Sequence, residues 1–184
     1  MSSTNRGSER IPSDFYPTPV SCVENILDNC NIDMSNKRVL EPAAGNGHIA
    51  YTIKRKYPRS IVDAIELREE EKLHLTGLND VIIGDFLTLD IKTHYDIIMT
   101  NPPFSLAREF IIRSIELQPD IVIMLLRLSY LESKRRHDFW QKYPVTELYV
   151  LSDRPSFTNK GTDSCAYAWF VWYKLNNEQK IYVI

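Results

Sequence analysis

The sequence predicts an α/β fold built on a doubly wound, mostly parallel β-sheet, and three observations carry that prediction. Short apolar runs alternate along the chain with amphipathic helical patterns, the order that yields parallel strands joined by crossover helices. One run, Ile121 to Leu126, is almost wholly apolar, as a strand covered on both faces must be. Four successive runs close on a polar or turn residue, at Glu41, Glu66, Asp85 and Asn101. Ligands of an open α/β sheet bind at the edge where such strand ends meet.

Composition bounds the rest. A chain of 184 residues with 43% hydrophobic and 25% charged side chains is long enough to bury one substantial core. No apolar run is long enough to span a bilayer, so no membrane partner is expected. Met1 to Ser13 is polar, lacks the apolar stretch of a signal peptide and reads as a disordered tail, leaving 14–184 as a single domain. Cys22, Cys30 and Cys165 are odd in number and form no C-x-x-C pair, which fits reduced thiols in a cytoplasm rather than a disulfide framework or a zinc site. The net charge of −2 is uneven: residues 1–100 hold 11 basic and 15 acidic side chains, and residues 101–184 hold 11 and 9. The densest basic run, Lys134-Arg135-Arg136-His137, reads either as a solvated helix face or as a set of phosphate contacts.

The elements follow in order. Phe15-Tyr16-Pro17-Thr18-Pro19 is an aromatic lead-in stiffened by proline, and a helix from Val20 to Asn29 carries Val23, Ile26 and Leu27 on one face. Arg38 to Glu41 is the first strand; the glycine turn Ala44-Gly45-Asn46-Gly47 leads into a helix from His48 to Lys56. Ile61 to Glu66 is the second strand, followed by a short charged helix from Arg68 to Leu75. Val81 to Gly84 is the third strand and Tyr95 to Thr100 the fourth. A helix from Leu106 to Leu117, the strand Ile121 to Leu126, a basic amphipathic helix from Leu131 to Lys142 and the strand Val145 to Leu151 come next. Ser152 to Ser164 reads as a loop, Ala166 to Lys174 as a strand and Lys180 to Ile184 as an edge strand.

The chemistry centres on Asn101-Pro102-Pro103-Phe104. Neither proline can donate a ladder hydrogen bond, and each fixes φ, so the chain leaves the sheet as a rigid platform. The platform offers the Asn101 side-chain oxygen, the Pro102 carbonyl and the Phe104 ring. An exocyclic amine conjugated to a ring is a poor nucleophile because its lone pair is delocalised. Two acceptors that take its two N–H bonds draw the nitrogen towards tetrahedral geometry, and an aromatic side chain stacks on the ring. As a purely structural pattern, the same residues are a strand ending in a proline turn.

The earlier strand ends outline a pocket for an adenosine. Gly45, Gly47 and Ala50 fit G-x-G-x-x-[G/A], with Glu66 at the distance expected of an acid on ribose hydroxyls. Asp85 offers an acceptor to an adenine amino group and Phe86 a ring surface. Each has a plainer reading: a turn at a βα junction, a partner for Arg68, and Gly-Asp turn chemistry.

Taken together, these motifs resemble S-adenosylmethionine-dependent amino-methyltransferases, most closely the DNA adenine-N6 family in its compact bacteriophage-type form. The resemblance runs from Phe15 to Tyr173. It covers Tyr16-Pro17-Thr18-Pro19, Glu41 to Gly47, Glu66, Asp85-Phe86 and Asn101 to Phe104, in the family's order. It implies the Rossmann-like class I methyltransferase fold, a seven-stranded sheet whose last core strand is antiparallel. It also implies S-adenosylmethionine as cofactor, bound through Tyr16, Thr18, Glu41, Gly45, Gly47, Glu66, Asp85 and Phe86. Asn101, Pro102, Pro103 and Phe104 would be catalytic, with no metal role. Phe157 would either close the other face of a flipped base or pack on its own domain.

The chain departs from sequence-specific DNA methyltransferases in lacking room for an added recognition domain between Ser105 and Ser164. Nucleic acid, DNA first, is the expected partner, with specificity supplied by short loops, a specificity partner or a homodimer mate. The same platform resembles that of RNA base methyltransferases (guanine N2 or adenine N6) and protein glutamine-amide methyltransferases. The last typically carry Tyr where Phe104 stands. A nicotinamide dehydrogenase leaves the platform unexplained. A non-catalytic regulatory or binding protein on the same fold is the alternative of another class.

Overall fold

The computed structural model describes residues 17–157, 164–176 and 178–184. The strands among them are β1 (Arg38–Glu41), β2 (Ile61–Glu66), β3 (Asp80–Ile83), β4 (Ile97–Thr100), β5 (Ile121–Arg127), β6 (Glu147–Val150), β7 (Tyr167–Tyr173) and β8 (Lys180–Val183). They form one sheet in the order β3-β2-β1-β4-β5-β7-β6-β8. β1 pairs in parallel with both β2 and β4, so the strand order reverses between β1 and β4. That reversal opens a crevice at the carboxyl ends of these two strands. β7 runs antiparallel to β5 and to β6, while β8 joins β6 in parallel at the edge. The sheet thus has the expected antiparallel last core strand and the expected edge strand.

Both faces of the sheet are covered, and the strand side chains alternate between two cores. Ile97, Met99, Ile123, Leu125, Trp169 and Val171 meet Val23, Ile26 and Leu27 of α1 (Val20–Asn29) and Ile49, Ala50 and Ile53 of α2 (His48–Lys56). Ile98, Val122, Met124, Leu126, Ala168 and Phe170 meet Phe110 and Ile111 of α3 (Ala107–Glu116) and Phe139 of α4 (His137–Lys142). This is the period of two expected for strands buried on both sides. Six-residue α4 has little helical stability of its own. Trp140 anchors it by stacking against Trp172, with centroids 6.4 Å apart and planes at 4°.

Two predicted helices take other forms. The stretch from Leu131 to Lys142 is not one helix. It is a 3₁₀ turn over Leu128–Leu131, a second over Lys134–Arg136, and then α4. Ser133 stands between them at φ 108°, and its hydroxyl oxygen accepts from the Arg135 N–H. A left-handed residue whose side chain captures the next turn's N–H cannot sit inside an α-helix. The basic run is therefore a short, mostly exposed corner after β5 rather than one helix face. The charged stretch from Arg68 is a 3₁₀ helix over Glu69–Leu75, of which only Leu75 is buried. It lacks the apolar stripe of a packed α-helix. Its side-chain contacts run at i, i+3, the Arg68–Glu71 ion pair at 3.2 Å and the His74–Glu71 hydrogen bond at 2.8 Å, a spacing that a 3₁₀ helix eclipses. Of the predicted loop, Ser152 to Phe157 and Ser164 lie in neither helix nor strand; 158–163 lie outside the described residues, as do Tyr16 and the polar tail from Met1 to Ser13.

Candidate active site

A cleft partly open to solvent lies at the carboxyl ends of the strands, where an open α/β sheet binds its ligands. Thr18, Glu41, Gly45, Glu66, Asp85, Phe86, Asn101 and Pro103 all line it. The structure therefore gathers most of the residues singled out in the sequence at one place. Tyr16 lies outside the described residues; the other three stand beside the cleft: Gly47 caps α2, Pro102 is buried, and Phe104 opens a 3₁₀ turn over Phe104–Leu106.

The glycine turn forms one wall. Gly45 and Gly47 have φ of 54° and 82°, conformations that glycine adopts without strain. The Gly45 N–H donates to Glu66 Oε2 at 2.6 Å, tying the turn to the end of β2. Glu66 Oε1 accepts from the backbone N–H and the Nε of Arg68, at 3.0 and 2.9 Å. The pairing with Arg68 is thus real, and it occupies one carboxylate oxygen. Oε2, with a single bond from Gly45, keeps acceptor capacity on the cleft side.

Glu41, at the end of β1, is 2% exposed and accepts from the Ala50 N–H at 2.8 Å, satisfying a donor in the first turn of α2. Burial pushes its carboxyl well above the ordinary carboxylate range, the Ala50 bond opposes this, and the nearby Glu66 carboxylate adds to it. The folded protein therefore holds this proton to higher pH than the unfolded chain does. Its contribution is most favourable below about pH 4.5 and is lost as pH rises towards the raised value. Glu41→Gln, which keeps an acceptor for Ala50, is expected to be more stable than wild type at pH 8 and to narrow that gap at pH 5. Urea unfolding at the two pH values, without added ligands, measures it.

Asp85 is exposed, and its Oδ1 accepts from the Leu87 N–H at 2.9 Å, so it is also the turn residue its sequence context suggested. Phe86 is 2% exposed and packs on Phe110 at 5.1 Å, presenting only part of its ring to the cleft.

The opposite wall is the platform. The two prolines turn the chain out of β4 after Thr100, and the Pro103 carbonyl accepts from the Leu106 N–H. Among the described residues, no backbone hydrogen bond ends on the Pro102 carbonyl. Asn101 Nδ2 donates to Thr18 Oγ1 at 3.0 Å, so the lead-in segment lies directly against the platform. His48 Nδ1 donates to the Thr18 carbonyl at 2.8 Å, while its Nε2 accepts from Asn46 Nδ2 at 3.1 Å. Because a carbonyl only accepts, the proton sits on Nδ1.

Phe104 meets Tyr167 at 5.8 Å, and the Arg127 guanidinium lies over its ring at 4.7 Å from the centroid. Arg127 Nε also donates to the Tyr167 hydroxyl at 3.2 Å. Phe157 packs edge-on against Tyr167 at 5.1 Å, which is the plainer of its two expected roles. Asn46, His48 and Arg127 were not singled out from the sequence as site residues. Their contacts join positions 23 or more apart, except for the Asn46–His48 pair, and no local pattern marks them.

No family model matches the chain. A type II methyltransferase, M.CvrRI, of Paramecium bursaria Chlorella virus XZ-6E is 26% identical over 98 residues, covering 52% of this chain and 26% of that protein. The matched region is thus about a quarter of that relative's length. A dimethyladenosine transferase from Plasmodium falciparum superimposes with a TM-score of 0.64 at 13% identity, covering 86% of this chain and 62% of the other. A predicted O-methyltransferase from Agrobacterium tumefaciens gives 0.63 at 14% identity, covering 86% and 85%. TrmN from Thermus thermophilus gives 0.58 at 21% identity, covering 85% and 48%. With its strand order, its one antiparallel core strand and its cleft at the β1–β4 reversal, the chain has the Rossmann-like fold of the class I methyltransferases.

Proposed function

We propose that this chain is an S-adenosylmethionine-dependent N-methyltransferase acting on an exocyclic ring amine, with adenine N6 in DNA as the leading substrate. One observation carries the reading: a single cleft joins the glycine turn, Glu41 and Glu66 to Asn101 and Pro103 of the platform. The donor set fits the cofactor. The spare capacity of Glu66 Oε2 suits a ribose hydroxyl, the part of the Phe86 ring that lines the cleft suits an adenine ring, and Asp85 suits its amino group. The buried Glu41 carboxyl suits the neighbourhood of the amino group. Thr18 and Gly45 stand where the methionine portion would lie.

When bound, S-adenosylmethionine supplies a methyl group on a positively charged sulfur, which keeps the C–S electron pair as the new C–N bond forms. Asn101 Oδ1 and the Pro102 carbonyl accept the two N–H bonds of the target amine and turn its lone pair towards the methyl group. One of those two protons passes to water after transfer, so no strong base is required; positioning and fixed dipoles lower the barrier. Phe104 stacks on the target ring. The Arg127 guanidinium lies over the Phe104 ring, beside the fully buried Tyr167 of β7. A duplex base reaches the platform only by leaving the stack.

Three features favour nucleic acid over protein: Phe rather than Tyr at position 104, the basic corner from Lys134 to Arg136 after β5, and the similarity to a viral type II methyltransferase. Base choice then rests on the loops of this one domain, a specificity partner or a homodimer mate.

The test offers tritiated S-adenosylmethionine with duplex DNA, single-stranded DNA, RNA and a protein extract in parallel. Label recovered as N6-methyladenine from DNA is the expected result. Label in RNA or protein replaces the substrate and keeps the mechanism. No transfer to any of them by a protein that binds the cofactor overturns the enzymatic reading.

A further inference from the structure

β8 closes the sheet at its far edge, and one side of its backbone is bonded to β6. The Lys180 N–H donates to the Thr146 carbonyl at 2.8 Å and the Ile184 N–H to the Val150 carbonyl at 2.9 Å; the Ile184 carbonyl accepts from the Ser152 N–H at 2.7 Å. Successive residues of a strand turn their N–H and C=O groups to opposite sides. Residues 180, 182 and 184 therefore face β6, and Ile181 and Val183 present theirs outward. Such an edge is a template for another strand, and proteins commonly blunt it with proline, a bulge or charges. β8 contains no proline and runs in unbroken register with β6. Its one charged residue, Lys180, stands at its start and pairs with Glu178 at 2.9 Å.

The side chains of β8 sort in the same way. Ile181 neighbours Leu148 in the ladder, on the face of the sheet that α3 and α4 cover. The cover stops short of the edge: Ile181 and Val183 are each 73% exposed. Both are β-branched, the type that packs best on a pleated surface. On the other face Tyr182 stacks on Tyr149, with centroids 4.7 Å apart and planes at 16°.

These features fit a second copy of the same strand. In an antiparallel pairing centred on Tyr182, Ile181 of each copy stands opposite Val183 of the other. Their outward groups then exchange four N–H···O bonds about a two-fold axis. The four β-branched side chains meet on one face. The two Tyr182 rings meet on the other and continue the stack begun by Tyr149. The two Lys180 stay about 13 Å apart along the strands, beyond the roughly 8 Å over which exposed charges act at physiological salt. No like charges oppose the contact.

We propose that β8 is a self-association edge, through which two copies of this chain join by antiparallel β8 strands centred on Tyr182 into one continuous sheet. The proposal goes beyond the methyl-transfer reading and does not depend on it. A contact this short lies at the small end of specific interfaces, so a dissociation constant on the order of 10 µM is expected.

Sedimentation equilibrium of the full chain, from about tenfold below to about tenfold above that concentration, is expected to show the mass rising from one chain towards two. Val183→Pro removes an outward N–H and leaves the ladder with β6 intact, a position where an edge strand tolerates proline. It is expected to keep the wild-type circular dichroism spectrum and to weaken the dimer at least about 30-fold, the worth of the two hydrogen bonds lost per dimer. The register is read by cross-linking under mild oxidation. Tyr182→Cys places two thiols on the axis, with Cα atoms about 4.5 Å apart, within disulfide reach. Ile181→Cys and Val183→Cys place each pair of like positions about 8 Å apart, out of reach. Tyr182→Cys is expected to form covalent dimer at least about tenfold faster than either. A wild-type chain that keeps the mass of one copy throughout the range overturns the proposal, and that result needs no variant to fold. So does a dimer that Val183→Pro leaves unchanged, or cross-linking no faster at 182 than at 181 and 183.

Discussion

Asn101→Ala is expected to lower the turnover number roughly 100- to 1,000-fold, the usual effect of deleting one preorganised polar group at a reacting centre. The side chain does two things that alanine cannot. In the proposed function its Oδ1 is one of two acceptors for the target amine, and its Nδ2 bond to Thr18 at 3.0 Å ties the platform to the lead-in segment. The first is expressed only as the nitrogen becomes tetrahedral, so the loss falls on turnover rather than on cofactor affinity. The second is a single partly buried hydrogen bond, worth about 1 kcal/mol of stability. The variant should therefore fold, bind S-adenosylmethionine within a few-fold of wild type, and fail to transfer. Steady-state kinetics with calorimetric cofactor binding separates the two quantities. A variant that keeps half of its turnover would remove Asn101 from the chemistry.

The largest expected effect on stability comes from Gly47→Ala. Two costs combine at this N-cap of α2. Its φ of 82° is a conformation that costs an L-residue about 1–2 kcal/mol. An added Cβ would also stand 2.6 Å from Tyr51 Cε2 and 3.0 Å from Leu75 Cδ2. The Tyr51 ring cannot swing aside cheaply, because the one proton of its hydroxyl is shared between the carbonyls of His74 and Thr76, 2.8 and 2.6 Å away. Overpacking of this kind costs about 1–3 kcal/mol. The sum, about 2–5 kcal/mol, lowers the melting temperature by roughly 4–20 °C for a chain of this size. Gly77→Ala is the control. Its φ of 93° carries the same backbone cost, but nothing lies within 4 Å of the added Cβ. Thermal unfolding of the two variants isolates the steric part, and equal shifts would show that the contact with Tyr51 carries none of it.

The first half of the fold was almost wholly legible. The limits of α1, β1, α2 and β2 fall at the expected residues, because each element combines a clean apolar period with a turn signal at its ends. The helix expected from Leu131 was lost for a reason no period records: Ser133 adopts φ 108° and captures the Arg135 N–H. Its neighbours are helix-compatible residues, and the break is made by one side chain.

The candidate site divides in the same way. Glu41, Glu66, Asp85 and Asn101 stood out because each closes a strand at the carboxyl edge, and parallel topology then brings them together. The pairing of Glu66 with Arg68 was foreseeable because it is local. The relay from Asn46 through His48 and Thr18 to Asn101 was not, because it depends on where residues 18 and 101 meet in space. The guanidinium of Arg127 over Phe104 depends likewise on the pairing of β4 with β5.

The central claim is that the cleft between the glycine turn and the platform holds S-adenosylmethionine, with Glu66 on its ribose. Calorimetric titration of S-adenosylmethionine into wild type and Glu66→Gln tests it most directly. The account predicts one saturable site per chain in wild type and an affinity at least about tenfold weaker in Glu66→Gln, whose neutral amide cannot accept as strongly from a hydroxyl. No binding to wild type, or equal binding to both proteins, would contradict it.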